Sequence, residues 1–195
     1  MTSKGDRTRS KILDEAARVF NRKGFAATSI NDILKASGTT KGNLYFHFSS
    51  KGEIGLEVLK REKQAFMSFL DDILNEGPPG QGLKNFFDEA LAKHRQQDFI
   101  GGCIFGNTAL EASDTSPELA TFVASVFDDW IMKIAQNVDR AQQTGHIRKD
   151  VPARDLAEMI VSTVEGGIMQ TRLLKSEKPL QHSLGTLQKI LELRV

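Results

Sequence analysis

Residues 28–51 decide the fold of this chain, and they read Thr-Ser-Ile-Asn-Asp-Ile-Leu-Lys-Ala-Ser-Gly-Thr-Thr-Lys-Gly-Asn-Leu-Tyr-Phe-His-Phe-Ser-Ser-Lys. Ser29 and Thr40 are typical residues to precede a helix, because their side-chain oxygens accept hydrogen bonds from unpaired backbone amides. Ile33 and Leu44 are the apolar residues expected to face a core. The stretch therefore predicts two short helices joined at Ala36-Ser37-Gly38.

The apolar residues outside this stretch recur at helical spacing nearly throughout the chain. The first segment shows the pattern in Ile12, Leu13, Ala16, Ala17 and Phe20. The strongest break falls at residues 75–82, which contain two prolines and three glycines. A long fourth helix is expected after Ser50, and further helices at residues 83–97, 107–113 and 117–144, after Pro152 and after Pro179. About nine helices and no strand are predicted, which is an all-α fold.

The charge of the chain is unevenly distributed. Residues 1–51 contain 10 Lys and Arg against 4 Asp and Glu, whereas the rest contains 16 against 21. A basic first quarter on an acidic body favours a polyanionic partner at one end, although a solvated charged face would give the same count. Cys103 is the only cysteine, and no apolar run is long enough to be a signal peptide or a membrane span. A cytoplasmic protein is expected.

The pattern of the first quarter resembles the N-terminal domain of the TetR (tetracycline-repressor) family of bacterial transcription regulators. The resemblance covers Arg9 to about Leu59 in detail. Besides the apolar residues of the first segment, the matching positions are Gly24-Phe25, Thr28-Ser29-Ile30, Ile33, Ala36-Ser37-Gly38, Lys41-Gly42-Asn43-Leu44-Tyr45, Phe48 and Lys51.

This resemblance implies a helix-turn-helix DNA-binding domain at residues 1–51 and an effector-binding and dimerisation domain at residues 52–195. It also implies a repressor that a small apolar or electrophilic effector releases from a palindromic operator. Activation of transcription stays open at this point. The runner-up interpretation is a helical adaptor that binds protein rather than DNA.

The second helix of the motif is the one expected in the DNA major groove. Lys41 and Asn43 can reach guanine and adenine edges, and Gly42 permits a close approach. Phosphate contacts are expected from the hydroxyl, phenol, imidazole and ammonium groups nearby, which belong to Ser29, Thr40, Tyr45, His47 and Lys51. Each has a plainer alternative: Ser29 and Thr40 cap helices in any case, Tyr45 can pack at the core edge, and His47 can be idle in solvent.

The effector is expected among the middle helices, at aromatic residues and at polar residues in apolar surroundings. The candidates are Phe66, Phe69, Cys103, Asn107, Glu111, Phe127, Trp130, Glu165 and Met169. Most of these could instead be ordinary core or structural residues. The pattern Gly-Cys-x-x-Gly-Asn-x-x-x-Glu at residues 102–111 resembles a subgroup that includes electrophile-responsive repressors. An inert, buried Cys103 is the alternative.

The last two helices are implied by the resemblance to form a four-helix bundle between two subunits. Residues 155–174 and 180–193 correspond to them, with Leu156, Ile160 and Val164 on one stripe, and Gly166-Gly167 would permit close helix approach. The alternative is that these stripes serve only the core of one chain. A tilt of the fourth helix, which joins the two domains, is the expected switch.

Catalysis is not expected from this sequence. The four histidines are isolated from one another and from Cys103, and there is no phosphate-binding loop, dinucleotide motif or nucleophile elbow. Neither a cofactor nor a metal ion is predicted. The expected partners are double-stranded DNA, a small molecule and a second copy of the chain.

Overall fold

The computed structural model describes residues 4–195, and this part of the chain consists of nine helices without a strand. The predicted all-α fold is confirmed. The helices are α1 Lys4–Lys23, α2 Ile30–Ser37, α3 Lys41–His47, α4 Lys51–Leu74, α5 Gln81–Gln96, α6 Ile104–Ala112, α7 Pro117–Gln143, α8 Ala153–Leu174 and α9 Lys178–Ile190.

One helix begins earlier than the sequence predicts. The pattern placed α6 at about residues 107–113, but it starts at Ile104 and ends at Ala112. Gly106 lies inside the helix, where glycine costs only about 1 kcal/mol relative to alanine. Cys103 therefore directly precedes α6 rather than lying a turn before it.

The chain divides into two compact units. The first unit contains the described residues up to Gln64 together with Ile104–Val123, and the second contains Ala65–Cys103 and Ala124–Val195. The first unit is thus larger than the predicted DNA-binding segment, because α6 and the first half of α4 pack with α1–α3. A functional division at residue 51 stays a prediction.

The first unit is built around apolar residues from α1 to α4. Its buried core is Ile12, Leu13, Ala16, Phe20, Ile33, Leu44, Phe48, Ile54 and Val58. Ser29 caps α2: its side chain accepts from the amide of Asp32, and the Asp32 carboxylate accepts from the Ser29 amide. Gly38 ends α2 at a φ of 63°, a left-handed conformation that glycine adopts without strain. The predicted helix start at Ser29 and the turn at Gly38 are confirmed.

The second unit has a larger apolar core, formed by α5, α8, α9 and the later turns of α4 and α7. Helices α8 and α9 pack closely at Gly167, where an added Cβ would lie 2.7 Å from Cδ1 of Leu180. The neighbouring Gly166 faces open space instead. The two glycines that the sequence grouped together therefore have different surroundings.

Candidate nucleic-acid interface and buried polar cluster

One face of α3 is held against the core of the first unit, which exposes the opposite face. Leu44 and Phe48 are fully buried there. The exposed side carries the ammonium group of Lys41, the amide of Asn43 and the aromatic rings of Tyr45 and Phe46. Gly42 lies among them and leaves open space because it has no side chain. This combination of hydrogen-bonding groups and open space suits the edges of base pairs.

The exposed polar residues of α3 are positioned by its first turn. Thr40 precedes the helix, and its Oγ1 accepts from the amide of Asn43 at 3.3 Å. The Nζ of Lys41 lies 5.9 Å from the ring centroid of Tyr45, one turn further along. His47 is half-buried and its ring contacts that of Phe46 edge-on at 5.0 Å. Thr40, Lys41, Asn43 and Tyr45 thus present their side chains at the surface.

Ser29 is exposed, but its hydroxyl group is engaged with the capping partner. Its Oγ donates to Oδ2 of Asp32 at 2.6 Å. Hydrogen bonds from Lys23 and from Ser29 hold the pKa of Asp32 well below its ordinary value, so this carboxylate stays charged. A phosphate would have to displace these contacts in order to bind Ser29.

Lys51 makes its hydrogen bonds inside the protein. Its Nζ donates to the carbonyl oxygens of Phe25 at 2.9 Å, Ala26 at 3.3 Å and Thr28 at 2.9 Å. It also lies 4.7 Å from the ring centroid of Phe25. The three donors of an ammonium group are therefore committed to the segment Gly24–Thr28, which we call the α1–α2 loop. The phosphate contact predicted for Lys51 stays a prediction, and it would have to compete with these bonds.

Two residues that the sequence assigned to the effector site lie in the first unit. The Oε2 of Glu111 accepts from the backbone amide of Ala26 at 2.9 Å. Asn107 donates to the side-chain oxygen of Asn21 at 3.1 Å. Gly24 has a φ of 90°, and an added Cβ would lie 2.6 Å from Oε1 of Glu111. Both residues thus fasten α6 to the end of α1 and the loop after it.

Four of the predicted effector residues form an aromatic cluster in the second unit. The ring of Trp130 contacts Phe66 edge-on at 5.0 Å and stacks on Phe127 at 5.9 Å. Phe69 stacks on Phe66 at 6.4 Å. Trp130 is only 2% exposed, and its Nε1 has no hydrogen-bond partner. A buried donor without an acceptor is unusual, since it costs the desolvation of that group.

Glu165 is a second buried side chain with an atom that lacks a hydrogen-bond partner. Its carboxyl group hydrogen-bonds the thiol of Cys103, while its Oε1 is buried and has no partner. Burial raises the pKa of Glu165, and the bond to Cys103 opposes this only in part. A carboxyl group in such surroundings favours its neutral form, which can both donate and accept.

Met169 lies outside this cluster. It is 56% exposed on α8, close to Leu173, which is 76% exposed. The buried face of α8 instead carries Leu156, Ile160 and Val164, all within the core of a single chain. The resemblance assigned this stripe to a subunit interface, but the structure buries it in the core of one chain, which was the alternative.

The outer surface of α8 and α9 carries a different apolar set. Met169, Leu173 and Ile190 are exposed there. Gly166 and Gly185 face open space, with no atom within 4 Å of an added Cβ. Small and apolar residues at a surface allow close packing of another helix.

Groups of three or more His, Cys, Asp or Glu that could hold a metal ion do not occur among residues 4–195. Within the same range, no helix is both long and apolar enough to cross a bilayer.

Two sequence profiles of known protein families match this chain. A sequence profile described as "Bacterial regulatory proteins, tetR family" matches residues 12–58. A second, described as "Tetracyclin repressor-like, C-terminal domain", matches residues 79–187. The two profiles together account for most of the chain.

Individual relatives agree with the profiles. The chain is 31% identical over 182 residues to the uncharacterized HTH-type transcriptional regulator YxaF of Bacillus subtilis (strain 168), with 92% of each chain covered. It is 26% identical over 178 residues to the HTH-type transcriptional repressor DhaR of Mycobacterium sp. (strain GP1), covering 90% of this chain and 88% of the relative. The crystal structure of a TetR transcriptional regulator from Chloroflexus aurantiacus superposes with a TM-score of 0.86 at 33% identity, covering 95% and 94% of the two chains.

Proposed function

Because this chain belongs to the tetR family of bacterial transcription regulators, and is a ligand-responsive DNA-binding regulator, we propose that it acts as a homodimeric repressor of a palindromic operator. The observation that carries the proposal is the outward face of α3, where polar and aromatic groups are exposed while Leu44 and Phe48 fix the helix to its core. Residues 1–51 supply the DNA contacts, and residues 52–195 bind the effector and the second subunit. The adaptor interpretation is not favoured.

The exposed residues of α3 divide by the part of DNA that each can contact. Lys41 and Asn43 contact base edges, and Gly42 lets the backbone approach them. Thr40, Tyr45 and His47 contact phosphates and fix the orientation of the helix. Ser29 and Lys51 act on DNA mainly by holding the α1–α2 loop and the start of α2 in place, since their polar atoms already have partners.

Two copies of the chain pair through the outer surface of α8 and α9. Met169 and Leu173 supply apolar area, and Gly166 and Gly185 leave room for a partner helix. Isologous pairing through one surface patch is the commonest arrangement of homodimers. It would present two α3 helices to half-sites about one helical turn apart.

The effector binds among the aromatic residues of the second unit, at Phe66, Phe69, Phe127 and Trp130. The unpartnered Nε1 of Trp130 and Oε1 of Glu165 support a small, mostly apolar and uncharged ligand with one or two polar groups. An electrophile that forms a bond with the sulfur of Cys103 is a second candidate, favoured by the position of this thiol directly before α6.

A selection of duplexes from a random pool tests the DNA-binding proposal. The purified chain should enrich a palindrome, and anisotropy titrations on that duplex should give its affinity. Asn43→Ala should relax the preference at one base pair of each half-site, with a loss of about 5- to 100-fold for the preferred base. Gln96→Ala, which removes an exposed amide from α5 of the second unit, serves as a control. Enrichment of no duplex, or unchanged base preference in Asn43→Ala, would contradict the proposal.

Two further measurements test the partner and the effector. Sedimentation should give a dimer at micromolar concentration, and Leu173→Glu should shift it toward the monomer. For the electrophile, N-ethylmaleimide should release the wild-type protein from its operator, whereas Cys103→Ser should stay bound. Equal release of both proteins would remove Cys103 from the proposal.

A further inference from the structure

Phe46 is the most exposed large apolar side chain in residues 4–195. It is 83% exposed, compared with 46% for its neighbour Tyr45. An isolated Leu or Val at a protein surface is ordinary, but an aromatic ring held almost entirely in water loses the free energy that burial would provide. The contacts proposed above for α3 do not use this ring.

The position of Phe46 on the helix makes it the centre of the outward face. It follows the buried Leu44 by two residues, which turns it by ~200° from the core in a helix of 3.6 residues per turn. Gly42 lies one turn earlier on the same face, and no atom lies within 4 Å of where its Cβ would be. Helical side chains lean toward the N-terminus, so Phe46 projects beside a part of the surface that no side chain fills.

The surroundings of the ring indicate what covers it. The same helix carries Lys41 and Asn43, whose polar groups suit base edges rather than another protein core. The apolar group that base pairs present in the major groove is the 5-methyl group of thymine, or of a methylated cytosine. A Phe ring on the outward face of a helix in that groove meets such a methyl group directly.

We propose that Phe46 is a specificity-determining residue that packs on a pyrimidine 5-methyl group, that of thymine, once in each half-site. The proposal rests on the proposed entry of α3 into the major groove. Burial of one methyl group changes the affinity about 4-fold, so two half-sites give about 10- to 20-fold. Thymine should therefore be preferred over cytosine at one symmetric pair of positions.

Deoxyuridine tests this directly, because it differs from thymidine only by lacking the methyl group. Each symmetric pair of thymines in the selected operator is replaced in turn, and binding of the full-length dimer is titrated. At one pair the wild-type protein should bind about 10- to 20-fold more weakly, whereas Phe46→Ala should bind both duplexes equally well. Leu110→Ala, which removes an equally exposed apolar side chain from α6, should keep the wild-type discrimination.

Other outcomes overturn the inference. Equal binding of every deoxyuridine duplex by the wild type excludes a methyl contact, and preserved discrimination in Phe46→Ala assigns it to another residue. A monomeric Phe46→Ala in sedimentation would show that the ring is covered by protein. If the selected position is cytosine, and only 5-methylcytosine strengthens binding, the methyl group comes from modified DNA rather than thymine. Failure of the wild type to bind any duplex refutes the proposed function itself. That outcome is distinct from loss of the Phe46 contact alone, in which the wild type still binds DNA.

Discussion

The first unit bonds its polar groups across separate segments of the chain, whereas the second unit buries several without partners. In the first, Lys51 donates to three carbonyls of the α1–α2 loop, Glu111 accepts from the other side of that loop, and Arg9 pairs with Glu57 at 2.6 Å. The second unit contains all three buried side-chain atoms of residues 4–195 that lack a hydrogen-bond partner. They belong to Trp130, Asn137 and Glu165.

This difference matches the tasks that we propose for the two units. A unit that reads DNA must hold one geometry, and satisfied bonds between segments fix its helices. A unit that binds a small molecule needs polar atoms that the protein itself leaves unpaired, at a cost of about 1–3 kcal/mol each in the empty state. Polar substitutions should therefore act in opposite directions in the two units.

The largest expected effect is that of Lys51→Ala in the first unit. The substitution leaves three carbonyl oxygens of the α1–α2 loop without their charged donor, and we expect a loss of about 3 kcal/mol in the free energy of unfolding. Urea denaturation measures it. Lys60→Ala is the matched control, because Lys60 is exposed on the same helix and makes one ion pair with Glu57, so the expected change is under about 0.5 kcal/mol.

The salt dependence of DNA binding separates this internal role of Lys51 from a phosphate contact. A lost phosphate contact would lower the slope of log affinity against log salt by about 1. Lys51→Ala should leave the slope unchanged under conditions where it is folded. A reduced slope with full stability would reverse the interpretation and restore the exposed role.

A smaller effect should come from His94 in the second unit, through pH. Burial, aided by the charge of Lys93, lowers the pKa of His94 from 6.5 to about 4. Between these values the unfolded chain binds a proton that the folded chain does not, so stability falls as the pH drops. We expect a loss of about 2 kcal/mol between about pH 7 and about pH 5.

Denaturation of His94→Gln at the same two pH values isolates this contribution. The glutamine variant should lose clearly less stability than the wild type, because it has no proton to gain at this position. Equal losses in both proteins would show that His94 titrates in the folded chain at its ordinary pKa.

The smallest effect has the opposite sign. Glu165→Leu removes the buried Oε1 that has no partner, and we expect the empty protein to gain about 1 kcal/mol of stability. Glu165→Gln keeps the volume and one acceptor, so it should lie closer to the wild type. Thermal denaturation of the wild type, Glu165→Leu and Glu165→Gln under the same conditions measures these differences in stability. A destabilised Glu165→Leu would mean that the carboxyl group is bonded more completely than its surroundings indicate.

The sequence predicted the first unit well because local signals dominate there. Ser29, Asp32 and Thr40 act through bonds to residues within three positions, and Gly38 acts through its own backbone conformation, so a pattern of residue types is enough to place the helices. The apolar stripe from Ile12 to Phe20 was equally clear, since it follows a single period along one helix.

Contacts between distant segments could not be read in the same way. The bonds of Lys51 and Glu111 to Ala26 depend on helices that meet only in the folded chain. A polar residue among apolar ones suggested a ligand site for Glu111, yet its partner is a backbone amide that no sequence pattern marks. Met169 and Ile168 are neighbours, and only the rotation of α8 determines which of the two is buried.

The closeness of Gly24 to Glu111 links two positions that are far apart in the chain. An added Cβ at residue 24 would lie 2.6 Å from the Glu111 carboxylate, and the φ of 90° strains any side chain there. A methyl group at position 24 would therefore push the end of the Glu111 side chain aside and weaken its bond to the Ala26 amide. A shorter residue at position 111 would relieve the contact but not the backbone strain, so glycine at position 24 is required by the backbone first and by Glu111 second.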